Sequence, residues 1–389
     1  MRIGIDACCW SSRRGFGRFT RELVTHMVAG HPQHDFTLVV DGATASDWRL
    51  PSEARVQVVA TREQPTRAAS AASARSPADV WRLSREASRH AFDVFFFPAV
   101  YSYYPLLCRV PTVVAFHDAI AERHPDLVFP NLRSRLLWNL KTTLARRQAD
   151  LVLTVSQSAK AQVMAAFSIP ESAIRVVPEA PAAVFQPLDD SRAARAVRER
   201  YRIPVDRPLL LYVGGLSPHK NLLGLLAAVT RMGGSAWHLA LVGDFGADGF
   251  HGCYPQLQEA CRTHGLAERV TFTGYVPDED LVALYAAATV FVLPSLAEGF
   301  GLPVLEAMAC GVPVASSRDP ALREVLGAAA VFFDAGDVDE MAGALRRLLD
   351  DAALRASLRA EGIARARGYS WTEAARGTVR VCEEAAGAR

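Results

Sequence analysis

Long apolar runs are missing from this 389-residue sequence. The nearest approach, DVFFFPAVYSYYPLL at residues 93–107, is broken by prolines and tyrosines, so no membrane-spanning helix is expected. The opening MRIGIDACCW enters a strand directly, without the basic-then-apolar pattern of a signal segment. Cysteine is present but unorganised. Its seven copies, an odd number, lie scattered at 8, 9, 108, 253, 261, 310 and 382, which excludes a disulfide framework or a metal-type cluster. These absences predict a soluble chain in a reducing cytoplasm. An excess of either charge is also lacking: 43 Lys and Arg face 41 Asp and Glu, a net charge of +2, and no nucleic-acid partner is expected. A Walker A loop, a His/Cys transition-metal site and a Ser–His–Asp set are absent as well, which speaks against covalent hydrolysis.

What is there is alternation. MRIGIDA, FTLVV, VQVVA, DVFFF, TVVAFHD, LVLTVS and IRVVPEA read as strands in the first half. Helical patterns lie between them, for instance at 18–28 and 133–147, while the Ala/Ser/Arg-rich residues 65–77 read as a loop or weak helix. Most of the strands are apolar on both faces, the mark of a parallel sheet covered on both sides. A second series follows: PLLLYVGG, HLALVG, VTFTGY, VFVLPS, VPVASS and AVFFDA. Between the two, the pattern loosens into a charged, proline-bracketed segment at 186–208, and the interdomain linker is placed near its start. The length also calls for two domains. The expected architecture is α/β, two Rossmann-like halves whose ligands bind at strand carboxyl ends, with the natural site in a cleft between them.

The most informative stretch is FVLPSLAEGFGLPVLEAMACGVPVASS, residues 291–317. A buried strand ends at Pro294 and Ser295, and a loop then carries Glu298, Gly299, Phe300 and Gly301. Pro303 suits a first helical turn, where its missing N–H is no loss. A small-residue loop feeding a helix N-terminus leaves outward-facing amides equivalent to roughly half a positive charge, an anion site most often used for phosphate. Glu298 and Glu306 flank it. They suit the hydroxyl groups of a nucleotide sugar better than the phosphate itself; a capping Glu and a solvated Glu are the plainer reading.

Other strand ends carry further candidates. SSRRGFGRF follows the first strand, with Gly15 and Gly17 permitting a tight loop and Arg18 opening a helix; it lacks the third glycine of a dinucleotide fingerprint. His117 and Asp118 end TVVAFHD. YVGGLSPHKNL places Gly214 and Gly215 after a strand and Lys220 near a helix start, a compact charge suited to a diphosphate. Gly243 and Asp244 close another strand, and residues 273–276, Tyr275 among them, a further one. For each, an ordinary strand-end turn or a solvated charge is the alternative. The acidic pairs in Asp278-Glu279-Asp280 and Asp337-Val338-Asp339 precede helical stretches and read as caps rather than metal ligands. RSRLLWNLKTTLARR, at 133–147, is a candidate for lying on an anionic membrane surface, although packing its Leu/Trp face into its own domain is the favoured reading.

EGFGLPVLEAMACGVPV resembles the E-x7-E signature of retaining GT-B glycosyltransferases of family 4. GFGRF, the HD at a strand end, TVSQSAK, YVGGLSPHKN, FTGYVPDEDL and the terminal SWTEAA extend the resemblance over nearly the whole chain, with bacterial mannosyltransferase-like members most similar. The resemblance implies an acceptor-side domain at 1–187, completed by a terminal helix at 370–389, and a nucleotide-sugar domain at 188–369. It implies transfer of a hexose, first mannose from GDP-mannose, to a glycan, glycolipid or small-molecule acceptor, with retention and without a metal cofactor. Glu298 would contact donor-sugar hydroxyls, amides near Phe300, Gly301 and Leu302 would hold the diphosphate, Glu306 the ribose, and Lys220 the leaving charge. His117 would lie against the transferred sugar and Gly17 near the donor phosphates. A nucleotide-sugar epimerase, or a non-catalytic sugar-binding relative, are the alternatives. Two departures stand out: Gly215 where the family usually has Arg, and Glu179 where many members carry Asn. Loss of one charge-assisted contact costs about 1.5–3 kcal/mol, so compensation is expected from His219, Arg18 or the helix amides.

Overall fold

The structure, a computed structural model, describes residues 1–62, 76–234, 237–244 and 253–387. Most of the Ala/Ser/Arg-rich stretch, residues 65–75, lies outside the described residues. The chain forms two compact units, Met1–Glu179 with Ser370–Arg389, and Ala180–Ala247 with Gly252–Tyr369. Each of the thirteen runs read as strands forms one.

In the first unit, β1 (Arg2–Asp6), β2 (Asp35–Asp41), β3 (Arg55–Val59), β4 (Val94–Phe97), β5 (Thr112–Ala115), β6 (Leu151–Thr154) and β7 (Ile174–Val176) make one sheet. Its order is β3-β2-β1-β4-β5-β6-β7, with every pairing parallel. All four residues of β4, VFFF, are buried, because helices cover both faces and leave no solvent side to call for alternation. At Gly4 in β1 an added Cβ would lie 2.5 Å from the Phe95 ring, so this glycine makes room for the aromatic row beside it. The helix Trp371–Gly387 packs on the helix Gly15–Gly30 and against β4, β5 and β6. Its buried Trp371 meets Phe19 edge-on with ring centres 5.8 Å apart, which anchors the chain's end in this unit.

In the second unit, β8 (Leu209–Val213), β9 (His238–Val242), β10 (Val270–Gly274), β11 (Val290–Leu293), β12 (Val314–Ser317) and β13 (Ala330–Phe333) pair in the order β10-β9-β8-β11-β12-β13, again all parallel. In each sheet the chain starts in the middle, builds to one side, then returns to build the other. The crossovers therefore diverge between β1 and β4 and between β8 and β11, leaving a crevice at the carboxyl ends where such folds bind ligands.

Two expectations need correction. The units divide between Glu179 and Ala180, not between 187 and 188, because the Phe185 ring packs edge-on against Tyr285 of the second unit, 5.8 Å between centres. The charged segment beyond it is integral to that unit. Asp190 caps the helix Ser191–Arg200, the buried Arg198 donates to the Arg207 carbonyl at 2.7 Å, and the Tyr201 hydroxyl donates to Asp280 at 2.8 Å.

The second correction concerns the helix Leu132–Gln148, which turns only Trp138 of its large apolar residues inward, beside Ser134, Thr142 and Ala145. The Trp138 indole N–H donates to Glu122 at 2.6 Å and its ring lies 5.2 Å from Tyr101, which fixes the helix's rotation. Leu132, Leu136, Leu137, Leu140 and Leu144 face outward instead, Leu136 at 68% exposure. Among the described residues no helix is long and apolar enough to cross a membrane.

Candidate active site

The second unit gathers its candidates at the β8/β11 crevice. After β8, the Tyr212 hydroxyl donates to the Gly215 carbonyl at 2.7 Å, closing a turn into the short 3₁₀ helix Pro218–Lys220. After β11, the loop returns to that turn, with Leu296 N–H donating to the His219 carbonyl at 2.8 Å. This backbone bond sets Lys220 Nζ 2.6 Å from Glu298 Oε1, to which the Ser295 hydroxyl also donates at 2.7 Å. Ser295 is held in turn through its carbonyl, which accepts from Ser317 Oγ at 2.7 Å. Burial resists ionisation of Glu298, but Lys220, His219 and the Ser295 hydroxyl together hold it below the ordinary carboxylate value. Asp319 accepts from the Glu298 amide at 3.3 Å while capping the helix Pro320–Leu326; burial and the Glu298 charge push it up to about 6. The structure brings together Lys220 and Glu298, both singled out in the sequence, and adds Ser295 and Asp319 as partners that the sequence reading did not name as such. The signal for Asp319 was its place just before Pro320, a helix-start pattern.

The loop ends at Gly301, whose φ of +90° is the left-handed conformation that favours glycine. An added Cβ would lie 2.4 Å from Leu322, so both dihedral and space require glycine here. The helix Leu302–Ala309 starts at the next residue with no side-chain cap. Pro303 has no N–H and the Val304 N–H donates to the Gly301 carbonyl at 3.0 Å, so the Leu302 amide is the first-turn candidate for an anion. Phe300 is buried and packs edge-on against Tyr369, ring centres 5.8 Å apart. Glu306 is buried in the same helix and accepts from the Tyr285 hydroxyl at 3.1 Å. No sequence signal singled out Tyr285.

Gly243 is required by close approach, since a Cβ there would lie 2.1 Å from the Gly214 carbonyl oxygen; its N–H donates to the Gly274 carbonyl at 3.1 Å. The ends of β8, β9 and β10 are thereby drawn together, and Tyr275, just past β10, is exposed. At Gly215 a Cβ meets nothing nearer than Ser217 Oγ at 3.7 Å, so a side chain has room to leave the backbone.

The first unit has its own crevice between β1 and β4. The loop after β1 is pinned by Arg21, which donates to the Ser12 carbonyl at 2.7 Å. A Cβ at Gly17 would lie 2.0 Å from that same Ser12 oxygen, so only glycine lets the helix Gly15–Gly30 start so close to the loop. Gly15 meets no such limit. Phe16 stacks on Tyr101, beyond β4, with ring centres 5.0 Å apart.

His117, just past β5, is buried: Nε2 lies 2.8 Å from the Pro98 carbonyl and Nδ1 3.3 Å from Glu179 Oε1, with the edge of Phe19 at 4.5 Å between centres. Burial works against the imidazolium, but Glu179, the Pro98 carbonyl and Asp118 hold His117 above its ordinary value. Glu179, read from the sequence only as a departure from the family pattern, is thus the partner of His117.

The acidic pairs divide. Asp337 caps its helix by accepting from the Glu340 amide at 2.9 Å. Asp278 instead lies inside the first turn, after Pro277, and Asp280 accepts from Tyr201 and pairs with Arg200. Among the described residues no group of acidic, His and Cys side chains could hold a metal ion.

The protein-family model described as Glycosyltransferase Family 4 matches residues 13–180, and the one described as Glycosyl transferases group 1 matches residues 194–365. An O-antigen chain mannosyltransferase B of Escherichia coli is 36% identical over 278 residues, covering 69% of this chain and 68% of that protein. The chain belongs to the family 4 glycosyltransferases. It carries the GT-B fold, and the enzyme is a glycosyltransferase. The serotype-specific mannosyltransferase WbdA of E. coli is 29% identical over 68% of this chain, which spans only 32% of WbdA's length. Among solved structures, Anabaena HepE in complex with UDP-glucose superposes with a TM-score of 0.74 at 18% identity, covering 98% of this chain and 99% of that one. The epimerase alternative finds no support in these likenesses.

Proposed function

We propose that this glycosyltransferase moves mannose from GDP-mannose to an acceptor hydroxyl of a polysaccharide or glycolipid, retaining the anomeric configuration and using no metal. The observation that carries the reading is the Lys220–Glu298 pair at 2.6 Å, a partly exposed ammonium on a buried carboxylate, at the β8/β11 crevice beside the uncapped helix Leu302–Ala309. Lys220 and the amides near Phe300, Gly301 and Leu302 suit a diphosphate, and Glu298 suits sugar hydroxyls. Glu306 suits the ribose, with Tyr285 fixing its carboxylate. Gly215, Gly243 and Tyr275 would border the nucleotide. In the step itself the bond from the anomeric carbon to the phosphate oxygen breaks, the acceptor oxygen bonds to that carbon, and the acceptor proton passes to the departing phosphate oxygen. Charge growing on that phosphate is stabilised where it develops. Mannose is supported by the mannosyltransferase relatives; GDP is the first expectation from the family resemblance, with UDP- and dTDP-sugars as the competing donors. Incubation with GDP-mannose, UDP-glucose and dTDP-glucose, following free nucleotide with and without EDTA, tests this: GDP-mannose should be consumed equally in both, and consumption restored only by added metal would overturn the metal-free mechanism.

A cytoplasmic enzyme held at the inner membrane face is the second part of the proposal. It is supported by the outward leucines at 132, 136, 140 and 144, one helical turn apart, with Arg133, Arg135 and Arg147 on the same helix. Such a stripe with basic neighbours suits an anionic lipid surface, where a lipid-linked acceptor would lie. Flotation with phosphatidylglycerol vesicles should retain the wild type and release a Leu136→Glu/Leu140→Glu double variant. Equal recovery of both rejects the surface.

A further inference from the structure

We propose that Glu179 is a positioning residue for sugar transfer, holding the His117 ring as a doubly hydrogen-bonded, positively charged group at the carboxyl end of β5. This rests on the reading that His117 lies against the transferred sugar.

The geometry assigns the protons. The Pro98 carbonyl can only accept, so Nε2, 2.8 Å away, carries a hydrogen. A proton shared between an imidazole and a carboxylate stays on the more basic imidazole, so Nδ1, 3.3 Å from Glu179 Oε1, carries one as well. Both partners are buried, at 9% and 6% exposure, which leaves water little part in the pair. Among the described residues the charged groups facing the ring are Glu179, from the loop after β7, and Asp118, its chain neighbour; the helix Gly15–Gly30 contributes the uncharged Phe19 ring and the loop after β4 the Pro98 carbonyl. The ring is therefore clamped from three sides, by Pro98, Glu179 and Phe19.

Two chemical consequences follow. An imidazolium with both N–H groups engaged is no general base, so His117 takes no proton from an acceptor. The pair as a whole is neutral, so it adds no net positive charge beside a carbon that itself becomes positive during transfer. An uncharged Asn at 179 would leave the ring neutral, and so Glu179 gives this chain a different pH response.

The test uses full-length protein labelled with nitrogen-15 in histidine, with His117 assigned by its loss in His117→Asn. Wild-type His117 should show two protonated ring nitrogens at pH 7.5, and Glu179→Gln, which keeps shape and hydrogen bonds, should show a neutral ring. In parallel, kcat/KM against pH is measured for nucleotide release from GDP-mannose. The alkaline limb should move down by about one pH unit or more in Glu179→Gln and return in Glu179→Asp. A neutral ring in the wild type, or superimposable pH profiles for the wild type and Glu179→Gln, overturns the proposal. Doubly protonated His117 in a wild type that turns over no nucleotide sugar would instead overturn the transfer reading and leave the pair standing.

Discussion

The two units repeat one architecture with different chemistry at the strand ends. The order β3-β2-β1-β4-β5-β6 in the first matches β10-β9-β8-β11-β12-β13 in the second, and each holds a cation–carboxylate pair past its strands. In the second unit the cation is Lys220, on a flexible stem and partly exposed, and its carboxylate also accepts from Ser295. In the first it is His117, buried and clamped on both ring nitrogens. A lysine with one side-chain partner among the described residues is placed to turn toward a diphosphate, whereas a histidine held on both sides cannot turn. The difference separates a group that exchanges partners from one that keeps its place.

Removing Lys220 should break the comparison most severely. On the proposed role, Lys220→Ala strips charge from the leaving phosphate, and it leaves Glu298 buried without the Lys220 charge. Turnover should fall by about 10²–10³-fold and stability by about 3 kcal/mol, read by nucleotide release and urea unfolding. If Lys220 is only a solvated charge, neither will change. Next is Gly301→Ala, where backbone strain and the contact with Leu322 should together cost about 2–4 kcal/mol; an unchanged midpoint would show that the loop can relax. Tyr285→Phe, which takes one donor from the buried Glu306, should cost about 1 kcal/mol and weaken protection by GDP in thermal shifts. Weakened stability with undiminished GDP protection would detach Glu306 from the nucleotide.

The pH dependence sharpens the contrast from the first unit's side. His117 is held above its ordinary value of 6.5 in the folded chain. Its pair therefore stabilises in full below that value, and the contribution is lost as pH rises through the raised folded value. The stability gap between the wild type and Glu179→Gln should be largest near pH 6 and shrink toward pH 9. A gap that widens with pH would reverse the assignment of charge.

The smallest effect is expected at Gly215, where the backbone has room for a side chain. Gly215→Arg should tighten GDP binding by up to about tenfold if a second charge is what the site lacks. No gain would show that the helix amides already meet the need.

The strands were legible because buried parallel strands are apolar throughout, as in VFFF of β4, and the E-x7-E block marked the crevice before its geometry was known. Partners that act across long sequence distances were not. Nothing near Glu306 points to Tyr285, and nothing near His117 points to Glu179, 62 residues on, because those contacts are made by sheet order rather than local pattern. The helix Leu132–Gln148 misled for a related reason: its leucines carry a helical period whichever way the helix is turned, and Trp138 with Glu122 decides the rotation. The unit boundary was misjudged because prolines and charge suggest a linker, while Arg198 and Tyr201 bind the segment into a fold.

The most direct test of transfer at the Lys220–Glu298 pair is the anomeric configuration of the product formed from GDP-mannose, read by proton NMR for the wild type and Glu298→Gln. The wild type should give a product of the donor's own α configuration, with Glu298→Gln lower by about 10²-fold or more and no mannosyl-enzyme detectable by intact mass. An inverted product, or mannose covalently attached to Glu298 in the wild type, would contradict the account.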